Sequence, residues 1–261
     1  MKPVISFLTD FGLEDAYVGE VKAVIFSICP DAQVVDITHS VRRFDVRMGA
    51  FLLASAAHYF SSGAVHLAVV DPGVGGERRP IVVETRRALY VGPDNGLLIP
   101  AAKAEGILHV YELTNRSLMM GTISSTFHGR DIFAPVAAHL ACGTPVKEGG
   151  GEVIDYVQLS FGKPRFVKGE ATCEVVHIDQ FGNVVSNIPN DAVGRLGGHL
   201  LVRVGRRRFP ARLVKSYSEL DGKELGMLLG SHGFLEIACS ESSAARKLRV
   251  RPSSLMRVTV G

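Results

Sequence analysis

The sequence predicts an α/β protein, in which a doubly wound, mostly parallel sheet with helices on both faces precedes a smaller domain of short strands. Three observations carry that prediction. From residue 1 to about 145, apolar strand-like runs alternate with segments of helical periodicity, the pattern of a parallel sheet with crossover helices. The run Ala64–Val70 is continuously apolar, as in a strand buried on both faces, and stops at a carboxylate, Asp71. Beyond residue 170, helical periodicity fades and short strands with turns take over, as in a small β-barrel or sandwich.

Val4–Leu8 reads as the first strand, followed by the polar turn Thr9-Asp10-Phe11-Gly12 and a helix with Val18, Val21 and Ile25 on one face. Gln33–Ile37 is the second strand, ending in Thr38-His39-Ser40. Asp45 is placed to cap the next helix, whose apolar stripe runs through Val46, Ala50, Leu53, Ala57 and Phe60. The strand ending at Asp71 is followed by Pro80–Glu84 and Ala88–Val91. Gly92-Pro93-Asp94-Asn95-Gly96 is a strong turn signal before a short helix, Leu97–Ala104, and a strand, Ile107–Leu113. A helix over Ile132–Cys142 is stopped by Gly143 and Pro145.

Residues 1–146 therefore form the first domain. The stretch 147–169 turns to Gly and charge and reads as a linker. Residues 170–261 form the second domain, with strands Ala171–Ile178, Val184–Ile188, Leu200–Val204, Arg208–Lys215, Phe234–Ala238 and Met256–Val260.

Composition narrows the class. With 261 residues, 46% hydrophobic and 21% charged, the chain is long enough for two globular domains. A net charge of +3 is too mild to call for nucleic acid. The compact basic cluster Arg206-Arg207-Arg208 follows Gly205 and reads first as a solvated hairpin tip, second as a phosphate patch. Cys29, Cys142, Cys173 and Cys239 show no C-x-x-C spacing and signal neither a zinc site nor a disulfide framework. The first apolar stretch meets Asp10 too soon for a signal peptide, and no run approaches membrane-spanning length. The expectation is a cytoplasmic protein with no membrane or nucleic-acid partner.

Two stretches concentrate chemistry. In Val70-Asp71-Pro72-Gly73-Val74-Gly75-Gly76-Glu77-Arg78, a carboxylate sits at a strand's carboxyl end, where open α/β sheets bind ligands. Ser125-Thr126-Phe127-His128-Gly129-Arg130-Asp131 places His128 just ahead of a helix. An aspartate before Pro-Gly is also a common turn former and a lone histidine is often structural, so spacing leaves both readings open. Asp179-Gln180-Phe181-Gly182-Asn183 and Ser231-His232-Gly233 read alone as turns between strands. Neither G-x-G-x-x-G nor a Walker loop is present.

Taken together, Leu8-Thr9-Asp10-Phe11-Gly12, Asp36-Ile37-Thr38-His39, Val70–Gly75, Gly92–Leu97, Thr126–Asp131 and Asp179–Asn183 resemble the S-adenosyl-L-methionine (SAM) hydrolases that form adenosine. These are the SAM hydroxide adenosyltransferases, relatives of the fluorinating and chlorinating SAM enzymes. The resemblance runs in order from near Val4 to about Ala244. It implies a Rossmann-like first domain, a C-terminal β-barrel and a homotrimer with sites between one subunit's first domain and a neighbour's second. It also implies hydrolysis of SAM to adenosine and L-methionine without metal or organic cofactor.

By motif, Asp71, Arg78 and His128 fall on the family's water-activating triad, and Asp10 on the carboxylate that holds the ribose diol. Asp179, Phe181 and Asn183 fall on the motif contacting adenosine and methionine, and Ser231 near the methionine end. Phe44 sits where halogenating relatives carry Trp. Two departures stand out: His232 replaces the fluorinating relative's Arg, and Cys239-Ser240-Glu241 departs from a usually small, Asn-rich run.

These residue types suit the reaction. The leaving group is a neutral thioether departing from a sulfonium, so no general acid is needed. What is needed is a water or hydroxide held in line with the ribose 5′ carbon, its proton accepted and its charge supported. Asp71 and His128 are candidates for positioning or base, Arg78 for electrostatic support; direct capture of hydroxide beside Arg78 is the alternative. An ionised Asp10 offers two acceptors to a diol.

Overall fold

The structure is a computed structural model that describes residues 2–195, 199–222 and 224–260. It divides into two compact units, the first running through Ser160 and the second beginning at Phe161.

The first unit is built on six strands and four helices. In chain order they are β1 (Val4–Thr9), α1 (Tyr17–Ile28), β2 (Gln33–Thr38), α2 (Val46–Ala57), β3 (Val65–Val69), β4 (Pro80–Thr85), β5 (Leu89–Pro93), α3 (Ile99–Glu105), β6 (Ile107–Glu112) and α4 (Ala134–Ala141). The sheet order is β2-β1-β3-β5-β4-β6. β2, β1, β3 and β5 are parallel, while β4 runs antiparallel to both of its neighbours. The exception to the parallel expectation has a simple cause. β4 and β5 are joined by the short Arg86–Ala88 connection, too short for a crossover helix.

Strand alternation decides which helix covers which face. Ile5 and Phe7 of β1, with Leu67 and Val69 of β3, share a buried cluster with Val21 and Ile25 of α1 and Val136 of α4. Leu8 and Val70 point the other way, where a Cβ on Gly49 of α2 would meet both, together with Leu97. Asp45 caps α2 as the sequence predicts, its carboxylate accepting from the Met48 N–H at 3.0 Å. The helix stops at Ala57, so Phe60 lies beyond it.

The helix expected from Ile132 begins differently. Gly129–Phe133 forms a π-turn, with α4 following directly. Cys29 and Cys142, for which the sequence signalled no bridge, are joined by a disulfide across a separation of 113 residues. They close the carboxyl-terminal ends of α1 and α4, a proximity created by helix packing that no local spacing could signal.

The second unit contains β7 (Arg165–Val167), β8 (Glu170–Ile178), β9 (Val184–Pro189), β10 (His199–Val204), β11 (Arg207–Leu213), β12 (Leu225–Leu229), β13 (Phe234–Cys239), α5 (Ala244–Leu248) and β14 (Leu255–Val260). The order β14-β10-β11-β12-β13-β9-β8 closes through a β14–β8 pairing, so seven strands form a barrel and β7 adds to the outside of β8. Closure removes the exposed edges an open sheet would leave. Val175, Val202, Leu235, Ile237 and Val258 fill the interior with Leu248 of α5. Gly205 and Arg206 are the β10–β11 hairpin tip, as expected. β12 and α5 were not legible: β12 is a short apolar run between polar turns, and α5 is a little over one turn long.

Candidate active site

In the first unit, the loops after β3 and before α4 meet at the carboxyl ends of the strands. Arg78 folds back onto Asp71. Its Nε lies 3.0 Å from both carboxylate oxygens and its Nη2 2.5 Å from Oδ2, so the carboxylate is gripped bidentately. Both side chains are nearly buried, at 10% and 6% exposure. The guanidinium lies 5.2 Å from the centre of the Phe133 ring, which holds it from behind. The same Nη2 is 2.8 Å from Nδ1 of His128.

A guanidinium only donates, so Nδ1 of His128 is the acceptor and the neutral ring carries its proton on Nε2. Burial and the positive charge of Arg78 push the His128 pKa down, against a smaller opposing pull from Asp71 and Asp131. Arg79 is occupied elsewhere, bonding Asp94 at 2.8 Å and Asp155 at 2.9 Å, which leaves Arg78 as the partner of Asp71.

Each loop is anchored. Asn95 donates to the Val70 carbonyl at 2.8 Å, fixing the point where β3 gives way to Asp71. Arg130 bonds Glu20 of α1 at 2.8 Å and Asp131 at 2.7 Å, and Asp131 accepts from the Ser124 N–H at 2.9 Å. That network holds the approach to His128 at the start of the π-turn. π-Turns are often found at functional sites, and this one sets the ring against Arg78.

Asp10, just past β1, accepts from the backbone N–H of Phe44 at 2.8 Å. Phe44 has φ of 64°, a left-handed conformation seldom adopted by an aromatic residue, and its side chain stands exposed. Thr9 hydrogen-bonds His39 at 2.8 Å and accepts from the Phe11 N–H at 3.2 Å, which shapes the turn around Asp10. Asp10, Phe44, Asp71 and His128 line one cleft of about 380 Å³. Sequence reasoning missed Tyr17 and Arg43, which also line it. Tyr17 packs edge-on to Phe11 and Phe127, a contact between separate elements with no local signature.

The second unit has its own cavity, about 1150 Å³, lined by Asp179, Phe181 and Asn183 with Tyr217, Glu241 and Ser243. The Asp179 carboxylate organises the β8–β9 turn, accepting from the N–H groups of Phe181 and Asn183 at 3.0 and 2.8 Å and from the Asn183 amide at 2.9 Å. Phe181 is thereby left exposed on the rim while Asn183 is buried. Ser231 lies exposed in the turn before β13 and is not brought into this cavity wall. Tyr217 and Glu241 were not predicted from the sequence. Glu241 has a left-handed backbone (φ 45°), and no motif marks the turn around Tyr217.

Residues 5–150 match the SAM hydroxide adenosyltransferase N-terminal domain and residues 173–257 its C-terminal domain. The chain belongs to the SAM hydroxide adenosyltransferase family. It is 43% identical to an (R)-S-adenosyl-L-methionine hydrolase from Salinispora tropica, over 99% of this chain and 98% of that protein. A fluorinase from Nocardia brasiliensis is 28% identical over 100% of this chain and 98% of its own. A crystal structure of a conserved protein from Thermotoga maritima superposes with a TM-score of 0.93 at 41% identity, covering 98% and 99% of the two chains.

Among the described residues, no group of three or more His, Cys, Asp or Glu side chains is arranged to hold a metal. No helix among them is long and apolar enough to cross a membrane. Each unit carries a polar, aromatic-lined cleft of its own.

Proposed function

We propose that this chain hydrolyses S-adenosyl-L-methionine at the ribose 5′ carbon, releasing adenosine and L-methionine. The observation that carries the reading is the Asp71–Arg78–His128 cluster, whose Asp71 and His128 line a cleft together with Asp10 and Phe44, with Arg78 bonded behind them.

The hydrogen bonds support one division of roles. His128 spends its Nδ1 lone pair on Arg78, so its Nε2–H is a donor that steadies the attacking oxygen. Asp71 keeps unfilled lone pairs on oxygens already oriented by Arg78, and is the acceptor for the water's proton. Arg78 supports the negative charge that develops. The oxygen–C5′ bond forms as the C5′–sulfur bond breaks, and the bonding pair leaves with sulfur as the neutral thioether of methionine. Asp10 holds the ribose diol and Phe44 walls the sugar. Asp179, Phe181 and Asn183, which line the second unit's cavity, contact the nucleoside and amino-acid portions.

The family resemblance supports a homotrimer in which a neighbouring subunit's second unit completes each site. Mixing separately inactive Asp71→Asn and Asp179→Ala subunits is then expected to restore activity; no recovery would argue against shared sites.

The deciding experiment is chromatography of products after incubation with SAM in ¹⁸O-labelled water. Label at the adenosine 5′ oxygen is the expected result. A 5′-halogenated nucleoside formed in chloride would favour the reaction of the halogenating relatives, which the fixed charge of Asp71 opposes. Binding without turnover would favour a SAM sensor.

A further inference from the structure

β13 carries a carboxylate, Glu236, that is only 6% exposed and takes no part in the chemistry above. A buried carboxylate is costly unless its oxygens find partners. Both do: Oε1 accepts from the Tyr217 hydroxyl at 2.5 Å, and Oε2 lies 3.3 Å from Nε2 of His232. Burial works to raise the Glu236 pKa, yet the bonds from His232 and Tyr217 outweigh it and hold the group below the ordinary value.

An ionised carboxylate only accepts, so the single hydroxyl proton of Tyr217 is committed to Glu236. Tyr217 itself is 54% exposed, sits on the short turn Tyr217–Glu219, and stands in the wall of the cavity holding Phe181 and Asn183. A half-exposed tyrosine on a turn is ordinarily free to change rotamer. This one is tethered at its far end to a group inside the barrel wall.

We propose that Glu236 is a positioning residue for substrate binding: it pins Tyr217 as a fixed aromatic wall against the base of the nucleoside, while His232 holds the carboxylate's other oxygen. The identity of that ligand rests on the hydrolase reading above. A ring already in place has less freedom to lose when the base arrives, so the effect belongs in binding. The chemistry at C5′ is not touched.

The test compares wild type, Tyr217→Phe, Glu236→Gln and the double variant, by SAM turnover and by calorimetric titration with adenosine. Tyr217→Phe keeps the ring and deletes only the tether. It is expected to raise KM for SAM and the adenosine Kd about fivefold, the worth of roughly one hydrogen bond, with the change carried by KM rather than kcat. Glu236→Gln should do so to a lesser extent, because the amide oxygen still accepts. The double variant should be no weaker than Tyr217→Phe alone, since the pair acts as one unit.

Unchanged adenosine affinity in Tyr217→Phe, or additive losses in the double variant, would overturn the proposal. A wild-type protein that binds adenosine but leaves SAM intact would instead remove the hydrolase reading, and the adenosine affinities would still decide the role of Glu236.

Discussion

Gly75 and Ser125 meet so closely that no side chain fits between them: a Cβ on Gly75 would run into the Ser125 carbonyl oxygen. Gly75 also has φ of 73°, so both its space and its backbone demand glycine. Through this contact the loop bearing Asp71 and Arg78 is seated against the loop bearing His128. Gly75→Ala should lower turnover sharply and lower the unfolding midpoint. The left-handed backbone alone costs about 1–2 kcal/mol. Wild-type activity in that variant would show that the loops need not touch.

Arg78→Ala and His128→Ala should each slow hydrolysis by about 10²-fold or more, as loss of an electrostatic or positioning group does. Arg78→Lys should recover little of this. A lysine offers one ammonium where the arginine spans both Asp71 oxygens and His128. Initial rates at saturating SAM are the measurement.

The His128 pKa is pushed below the 6.5 of an ordinary imidazole by burial and then by Arg78. The native arrangement holds the neutral ring, so protonation adds a second positive charge and puts a donor against a donor. With the folded value depressed, the arrangement is fully favoured above pH 6.5 and is lost as pH falls through the lower folded value. The rate profile should stay flat through 6.5 and fall only on its acid side. A histidine-dependent limb at or above that pH would contradict the assignment.

Asp10→Ala should act mainly on binding. It removes the acceptor proposed for the ribose diol and releases the Phe44 N–H that the carboxylate holds at 2.8 Å. The expected outcome is a raised KM with a smaller loss in kcat; an unchanged KM would take Asp10 out of the binding site.

The Cys29–Cys142 bridge ties the ends of two helices across 113 residues of sequence. Cys29→Ser should lower stability by about 2–4 kcal/mol, measured by urea unfolding with and without reductant. An equal midpoint in reduced and oxidised wild type would mean that the bridge contributes nothing.

Much of the candidate site was legible because its residues sit in turns with strong local signatures. Asp71 follows a continuous apolar strand, His128 precedes a helix, and Asp179 is followed at two and four residues by N–H groups its carboxylate can accept from. Arg78 was placed by motif, and the bonds of Arg79 to Asp94 and Asp155 leave Arg78 as the partner of Asp71. Tyr17, Tyr217 and Glu236 were not legible, because each is placed by a contact with a residue distant in sequence. The π-turn before α4 was likewise hidden, since no local periodicity distinguishes it from the first turn of an ordinary helix.

By itself the sequence determined the alternation of strand and helix, the barrel-forming second half, and the residue types at the carboxyl ends of the strands. Periodicity and turn chemistry are local properties, written every two to four residues. Only the tertiary structure decided that one guanidinium bonds both Asp71 and His128, that Cys29 reaches Cys142, and that a buried glutamate tethers a cavity tyrosine. Those are distances between elements, and they exist only once helices and strands have packed.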